Sequence, residues 1–215
     1  MAAEGDNNFM RYVYRGQVDE DIPFHATHIF VHESVRVIRA EAFYKHRNII
    51  EVICHDKVEK VEEGAFACCP SLRRVIMPGV ISVWEGAFTK CRALTNVECG
   101  KLEYIGYQGF SCCRSLRSIN LTSVELLGEE AFNQCEALTS AKFSKKLIHI
   151  DATAFANCTA LEQIIIPLKD GIIYHDDTFQ ACRCLRHVHL VERVFRATEQ
   201  TICRGELHET IAALQ

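Results

Sequence analysis

The sequence predicts a repeat solenoid, a superhelix of short parallel β-strands linked by 3₁₀ or short helical turns and capped at both ends. Three observations carry this. First, an Ala-Phe pair recurs as Ala42-Phe43, Ala65-Phe66, Ala87-Phe88, Ala131-Phe132 and Ala154-Phe155, with Gly109-Phe110 and Thr178-Phe179 in the remaining slots. These seven phenylalanines step by 23, 22, 22, 22, 23 and 24 residues, and self-similarity at such a period is the mark of stacked repeats. Second, apolar residues keep fixed offsets from each phenylalanine. Ile38, Val61, Val83, Ile105, Leu127 and Ile150 stand five before it, and Ile49, Leu72, Leu94, Leu116, Leu138, Leu161 and Leu185 six after. Third, each unit closes on L-x-x-V-x-L, whose final alternation and branched residues fit a half-buried strand.

Taken in order, residues 1–8 read as a flexible N-terminus and residues 9–34 as an N-terminal β cap. Within the cap, Phe9–Gly16 reads as a strand, Asp19–Pro23 as a turn and His28–His32 as a second strand. An uncovered solenoid end exposes its core and its unpaired strand edge, so a cap is required. Seven repeats of 22–24 residues fill 35–192, each reading V-x-x-I-x-x-x-A-F-x-x-C-x-x-L-x-x-V-x-L. The V-x-x-I part predicts a second short strand, and A-F-x-x-C, too short for a helix, a single helical or 3₁₀ turn. Residues 193–215 read as a C-terminal cap, with Leu207, Ile211 and Leu214 on one face of a helix over 205–215.

The unit resembles the BspA-like, Treponema-type leucine-rich repeat. It is similar in Ile105-Gly106 with Gly109-Phe110, Cys113 and Leu116, and in Ala65-Phe66, Cys69, Leu72, Val75, Met77 and Pro78. The resemblance runs from Val35 to about Glu192 and implies a right-handed superhelix. The first repeat departs with His46 in place of cysteine, and the seventh at Gly171, Tyr174 and Thr178.

Hydrophobic content of 48% and charged content of 24% are those of a folded domain, and a net charge of −4 excludes a strongly basic nucleic-acid binder. No stretch has the apolar length for a membrane-spanning helix, and no signal-peptide run follows Met1–Asn8. Twelve cysteines without a leader read as reduced thiols in a cytoplasmic or other intracellular compartment.

The column Cys69, Cys91, Cys113, Cys135, Cys158 and Cys182 invites a redox or metal reading. One cysteine per coil does not have zinc-ligand spacing, and a small weakly polar side chain suits a buried turn. In CRCLRHVH, Cys182 belongs to that column and Leu185 to the core, so Cys184, His187 and His189 do not converge with it. His25, His28 and His32 fall in an extended cap, and Asp176-Asp177 beside His175 read as a polar turn. There is no phosphate loop or nucleophile elbow, hence no expected catalytic residue, cofactor or metal.

What remains is the outer face of the L-x-x-V-x-L strands. Alternation turns two columns outward: Glu51, Arg74, Asn96, Ser118, Ser140, Gln163 and His187, and beside them Ile53, Ile76, Glu98, Asn120, Lys142, Ile165 and His189. This mixed polar face lacks the basic or aromatic stripe of a nucleic-acid binder. The first expectation is a non-catalytic module that binds a protein partner through these columns. The alternatives are a surface-adhesion or structural protein, which the resemblance implies because such proteins often act in attachment, and a metal- or thiol-dependent enzyme.

Overall fold

The computed structural model describes residues 9–167, 172, 175, 177–191 and 200–203. The expected N-terminal tail over 1–8 and the expected helix over 205–215 lie outside them. Stacked coils form parallel sheets around one continuous core. The first sheet joins β1 (Arg11–Tyr14), β2 (His28–Val31), β4 (Glu51–Ile53), β6 (Arg74–Ile76), β8 (Asn96–Glu98) and β10 (Ser118–Ile119). The second joins β3 (Val37–Ile38), β5 (Lys60–Val61), β7 (Ser82–Val83), β9 (Tyr104–Ile105), β11 (Leu126–Leu127) and β13 (His149–Ile150). A third continues the first side with β12 (Ser140–Lys142), β14 (Gln163–Pro167), β15 (His187–Val191) and β16 (Gln200–Cys203).

Each sequence column becomes a stack. Val52, Val75 and Val97 pair in register, as do Ile38, Val61, Val83 and Ile105 on the other sheet, and all are buried. Phe43, Phe66, Phe88, Phe110, Phe132, Phe155 and Phe179 run down the axis with centroids 4.8–5.7 Å apart and planes within 13° of parallel. The coil rise, one strand spacing, sets that distance. Tyr14 covers the first ring at 5.0 Å, and its hydroxyl accepts the Arg39 N–H. Cys54 fills, in the first repeat, the core slot that Met77, Cys99 and Leu121 fill in the following coils.

The A-F-x-x-C segment corrects one expectation. Among the described residues it forms neither a helical nor a 3₁₀ turn but a run of tight turns. Residues two before and two after the phenylalanine take left-handed φ, as in Gln108 (52°) and Cys112 (59°), or Glu130 (55°) and Gln134 (59°). Alternate N–H groups therefore serve different partners. Ala67 N–H closes a local turn on Gly64 O at 2.9 Å, whereas Phe66 and Cys68 donate to Ala87 O (2.7 Å) and Thr89 O (2.8 Å) of the next coil. A helical turn would aim its amides along its own axis and leave this side of the coil without lateral bonds.

Among the described residues the first side is interrupted once. Between β10 and β12 the ladder lapses, and Thr139 N–H to Arg117 O at 3.3 Å is a remaining backbone link. Ala141, buried, occupies the slot that Ile119 and Ile164 fill in the neighbouring coils. At the far end β16 pairs antiparallel with β15, Val188 opposite Ile202. The chain thus reverses direction there and covers an otherwise open parallel edge.

Candidate functional site: the outward columns

The pleat that buries Val52, Val75 and Val97 turns their neighbours outward. Glu51, Arg74, Asn96 and Ser118 lie side by side, and Ile53, Ile76 and Glu98 form the adjacent column. Beyond the lapse, Gln163 pairs with His187, and Lys142, Ile165 and His189 align with one another. Asn120 lies one residue past β10. The expected site residues are thus brought together as two blocks rather than one unbroken face.

Within the first block the charges are already partnered. Arg74 Nη1 reaches Glu51 Oε1 at 3.1 Å, and Nη2 reaches Glu98 Oε1 at 2.7 Å. Asn96 Nδ2 donates to the same Glu98 oxygen at 3.2 Å. The hydrogen bonds from Arg74 hold the Glu98 carboxyl below the usual range. Such exposed pairs add little stability, but they fix the side chains that make them.

Sequence reasoning assigned the first two strands to the cap and so missed that they extend this face. Val13, Phe30, Ile53 and Ile76 form one apolar column across four strands in register. Arg11, His28, Glu51 and Arg74 form the charged column beside it. The Arg11 guanidinium lies 4.9 Å from the Phe9 ring and 5.4 Å from the Phe30 ring, and Phe9 packs on the His28 ring at 3.9 Å. Burial lowers the His28 pKa, partly offset by Glu51. The alternation Arg11/Val13 and His28/Phe30 was the available signal.

The second sheet carries a feature no expectation covered. Trp84, Tyr104 and Leu126 are 45, 37 and 41% exposed. Trp84 meets Tyr104 edge-on at 6.4 Å, and Lys60 Nζ lies 3.8 Å over the indole. The Trp84 slot becomes glycine in the next two coils, Gly106 and Gly128. A Cβ on Gly128 would come within 2.8 Å of the Gly106 carbonyl carbon, so the coils pack too closely there for a side chain. The aromatic rings consequently border a flat strip of backbone.

The cysteine column is structural. Cys69, Cys91, Cys113, Cys135, Cys158 and Cys182 are all buried, and each thiol donates to the phenylalanine carbonyl one coil earlier at 3.0–3.2 Å. His46 does the same work in the first repeat, its Nε2–H bonding Pro23 O at 3.1 Å. Burial holds the Cys113 thiol far above its ordinary pKa, and burial with the neighbouring Cys69 thiol does so for Cys91. Thiolate chemistry is thereby suppressed. Cys184, His187 and His189 are placed outward on the far coil while Cys182 points inward, so the four do not meet.

The fold and its outward columns define a β-solenoid built as a repeat scaffold. The BspA-type leucine-rich repeat region of six copies matches residues 24–125, 76–186 and 122–208, and the chain belongs to that family. Among solved structures it is similar to a leucine-rich repeat protein from Bacteroides ovatus, at 23% identity and a TM-score of 0.61, over 85% of this chain and 42% of that one. It thus spans about two fifths of that relative's length. A T. pallidum leucine-rich repeat protein matches at 20% identity and a TM-score of 0.49, over 84% of this chain and 69% of that one. No curated protein sequence matched. The repeat fold is consistent with a protein-interaction or surface scaffold. Among the described residues no helix is long and apolar enough to cross a membrane.

Proposed function

We propose that this protein is a non-catalytic scaffold that docks a protein partner on the outer face of its first sheet. The observation that carries this reading is the apolar column Val13–Phe30–Ile53–Ile76 lying in register beside Arg11–His28–Glu51–Arg74. An apolar strip bordered by fixed charges supplies both desolvation and orientation to an incoming surface. Because the inward residues Ile29, Val52, Val75 and Val97 are buried in the core, the outward side chains beside them lose little freedom on docking. The second block, with Lys142, Gln163, Ile165, His187 and His189, extends the contact surface along the coil axis. The working compartment we propose is reducing and intracellular, a reading supported by a column of buried cysteines that serve as thiol donors to backbone carbonyls.

A second reading is favoured by one observation, the exposed Trp84–Tyr104–Leu126 cluster on the other sheet. Tryptophan and tyrosine are the side chains that dominate binding hot spots. A photo-cross-linking residue placed at Ile53 or Ile76 decides between the two in the source cell. Discrete adducts from these positions, and none from Trp84, support the strand face. Adducts from Trp84 alone transfer the site to the second sheet.

A further inference from the structure

We propose that His149, Asp151 and His175 form a binding site for a divalent transition-metal cation of the zinc class. His149 is the outward residue of β13, and Asp151 is the next outward residue of the same coil. His175 takes, one coil later, the slot that Asp151 holds, each four residues before its phenylalanine. Stacking therefore sets side by side residues that are 24 and 26 apart in sequence. Short-range ligand spacings, the usual sequence signal for a metal site, do not reveal such a set.

The geometry is convergent. His149 Nε2 lies 3.7 Å from Asp151 Oδ2 and His175 Nε2 lies 3.5 Å from Asp151 Oδ1. The three ligand atoms all fall within 4.8 Å of one another. The imidazoles stand 6.1 Å apart at 84°, so neither ring blocks the other's nitrogen. A cation held at bonds of about 2.0–2.2 Å separates its ligand atoms by roughly 3–4 Å. The set is therefore within about 1 Å of closing, a distance that side-chain rotation covers.

The backbone beneath is pinned for this purpose. Ala152 N–H donates to Asp151 Oδ1 at 2.7 Å, which orients the carboxylate and leaves Oδ2 toward His149. Thr178, fully buried, accepts the His175 N–H at 3.1 Å and donates to Asp151 O at 3.4 Å. That hydroxyl ties the coil carrying His175 to the coil carrying Asp151. It also explains why threonine replaces the alanine of the repeat there. Orienting contacts of this kind behind the ligands set the affinity of metal sites.

The ligand chemistry selects the ion. Two imidazoles and one carboxylate suit zinc, cobalt, nickel or copper and disfavour calcium and magnesium, which take all-oxygen shells. Three protein ligands leave further positions open on the solvent side for water or for a ligand from another molecule.

Calorimetric titration of the whole chain with zinc, on a Cys184→Ser background, tests this. The expected result is one site, with His149→Ala and His175→Ala each weakening binding by about tenfold or more. With cobalt(II) the spectrum shows weak d–d bands and no thiolate-to-cobalt charge-transfer band. On adding zinc, the ring protons of His149 and His175 shift while those of His187 and His189 stay in place, a readout that needs no variant. Absence of zinc binding, wild-type affinity in both histidine variants, a thiolate band, or shifts confined to His187 and His189 would each overturn the proposal.

Discussion

A single thiol shows how residue chemistry supports the stack. Cys113 is fully buried and its S–H donates to Phe88 O at 3.2 Å, so it acts at once as core residue and as inter-coil link. Burial likewise pushes Cys54 up to about 12 and Cys99 up to about 11, from 9.0. The direction fixes the pH dependence. A thiol whose pKa is raised in the folded state gives its full stabilisation below the unfolded value and loses it as pH rises toward the folded one. Urea unfolding should therefore show stability level near neutral pH and falling above about pH 9, by on the order of 1 kcal/mol per pH unit for each such thiol. A flat profile to pH 11 would mean that these thiols are solvated. The sequence placed this column inward correctly, from its offset and size. It could not show the bond to the preceding coil, because a thiol's partner one repeat away leaves no mark in composition.

The turn ribbon is the element where local preference yields to stacking. Lys90, at φ 61°, and its equivalents pay a backbone penalty of about 1–2 kcal/mol for a left-handed conformation. Lys90→Gly relieves that strain on an exposed residue, and an unfolding midpoint raised by the equivalent of roughly 0.5–1 kcal/mol is expected. Phe110→Ala has the opposite sign. It opens the ring column midway, with Phe88 and Phe132 at 5.0 and 5.4 Å on either side, and should cost about 3–5 kcal/mol. Equal effects of the two changes would contradict the division between a strained ribbon and a packed axis. Both strands of each coil were legible from their apolar offsets. The ribbon was not, since Glu41, Lys45, Gln108 and Gln134 have no composition that announces left-handed φ, and Gly64, Gly86 and Asn157 gave too sparse a signal.

At the scale of the whole molecule, repetition fixes the scaffold and leaves function to the residues that do not repeat. Phe66, Leu72 and Val75 have counterparts in every coil, whereas Trp84, Phe30 and Ile76 belong to local patches. The period therefore exposed the fold. The outward columns could be numbered from it, including Arg74 and Ile76 as neighbours on one face. Two things stayed hidden because they depend on three-dimensional stacking: the continuation of the face into Val13 and Phe30, and the meeting of His149 with His175.

The most direct test of the strand-face account compares binding of the captured partner by two surface variants. Ile53→Asp with Ile76→Asp places charge in the apolar column of the first sheet, and Trp84→Ser with Tyr104→Ser removes the cluster on the second. Both leave the buried core untouched. The account predicts that the first pair weakens binding by at least about tenfold, or 1.4 kcal/mol, while the second pair leaves it unchanged. Unchanged binding by the isoleucine variant together with loss in the Trp84 variant would contradict it.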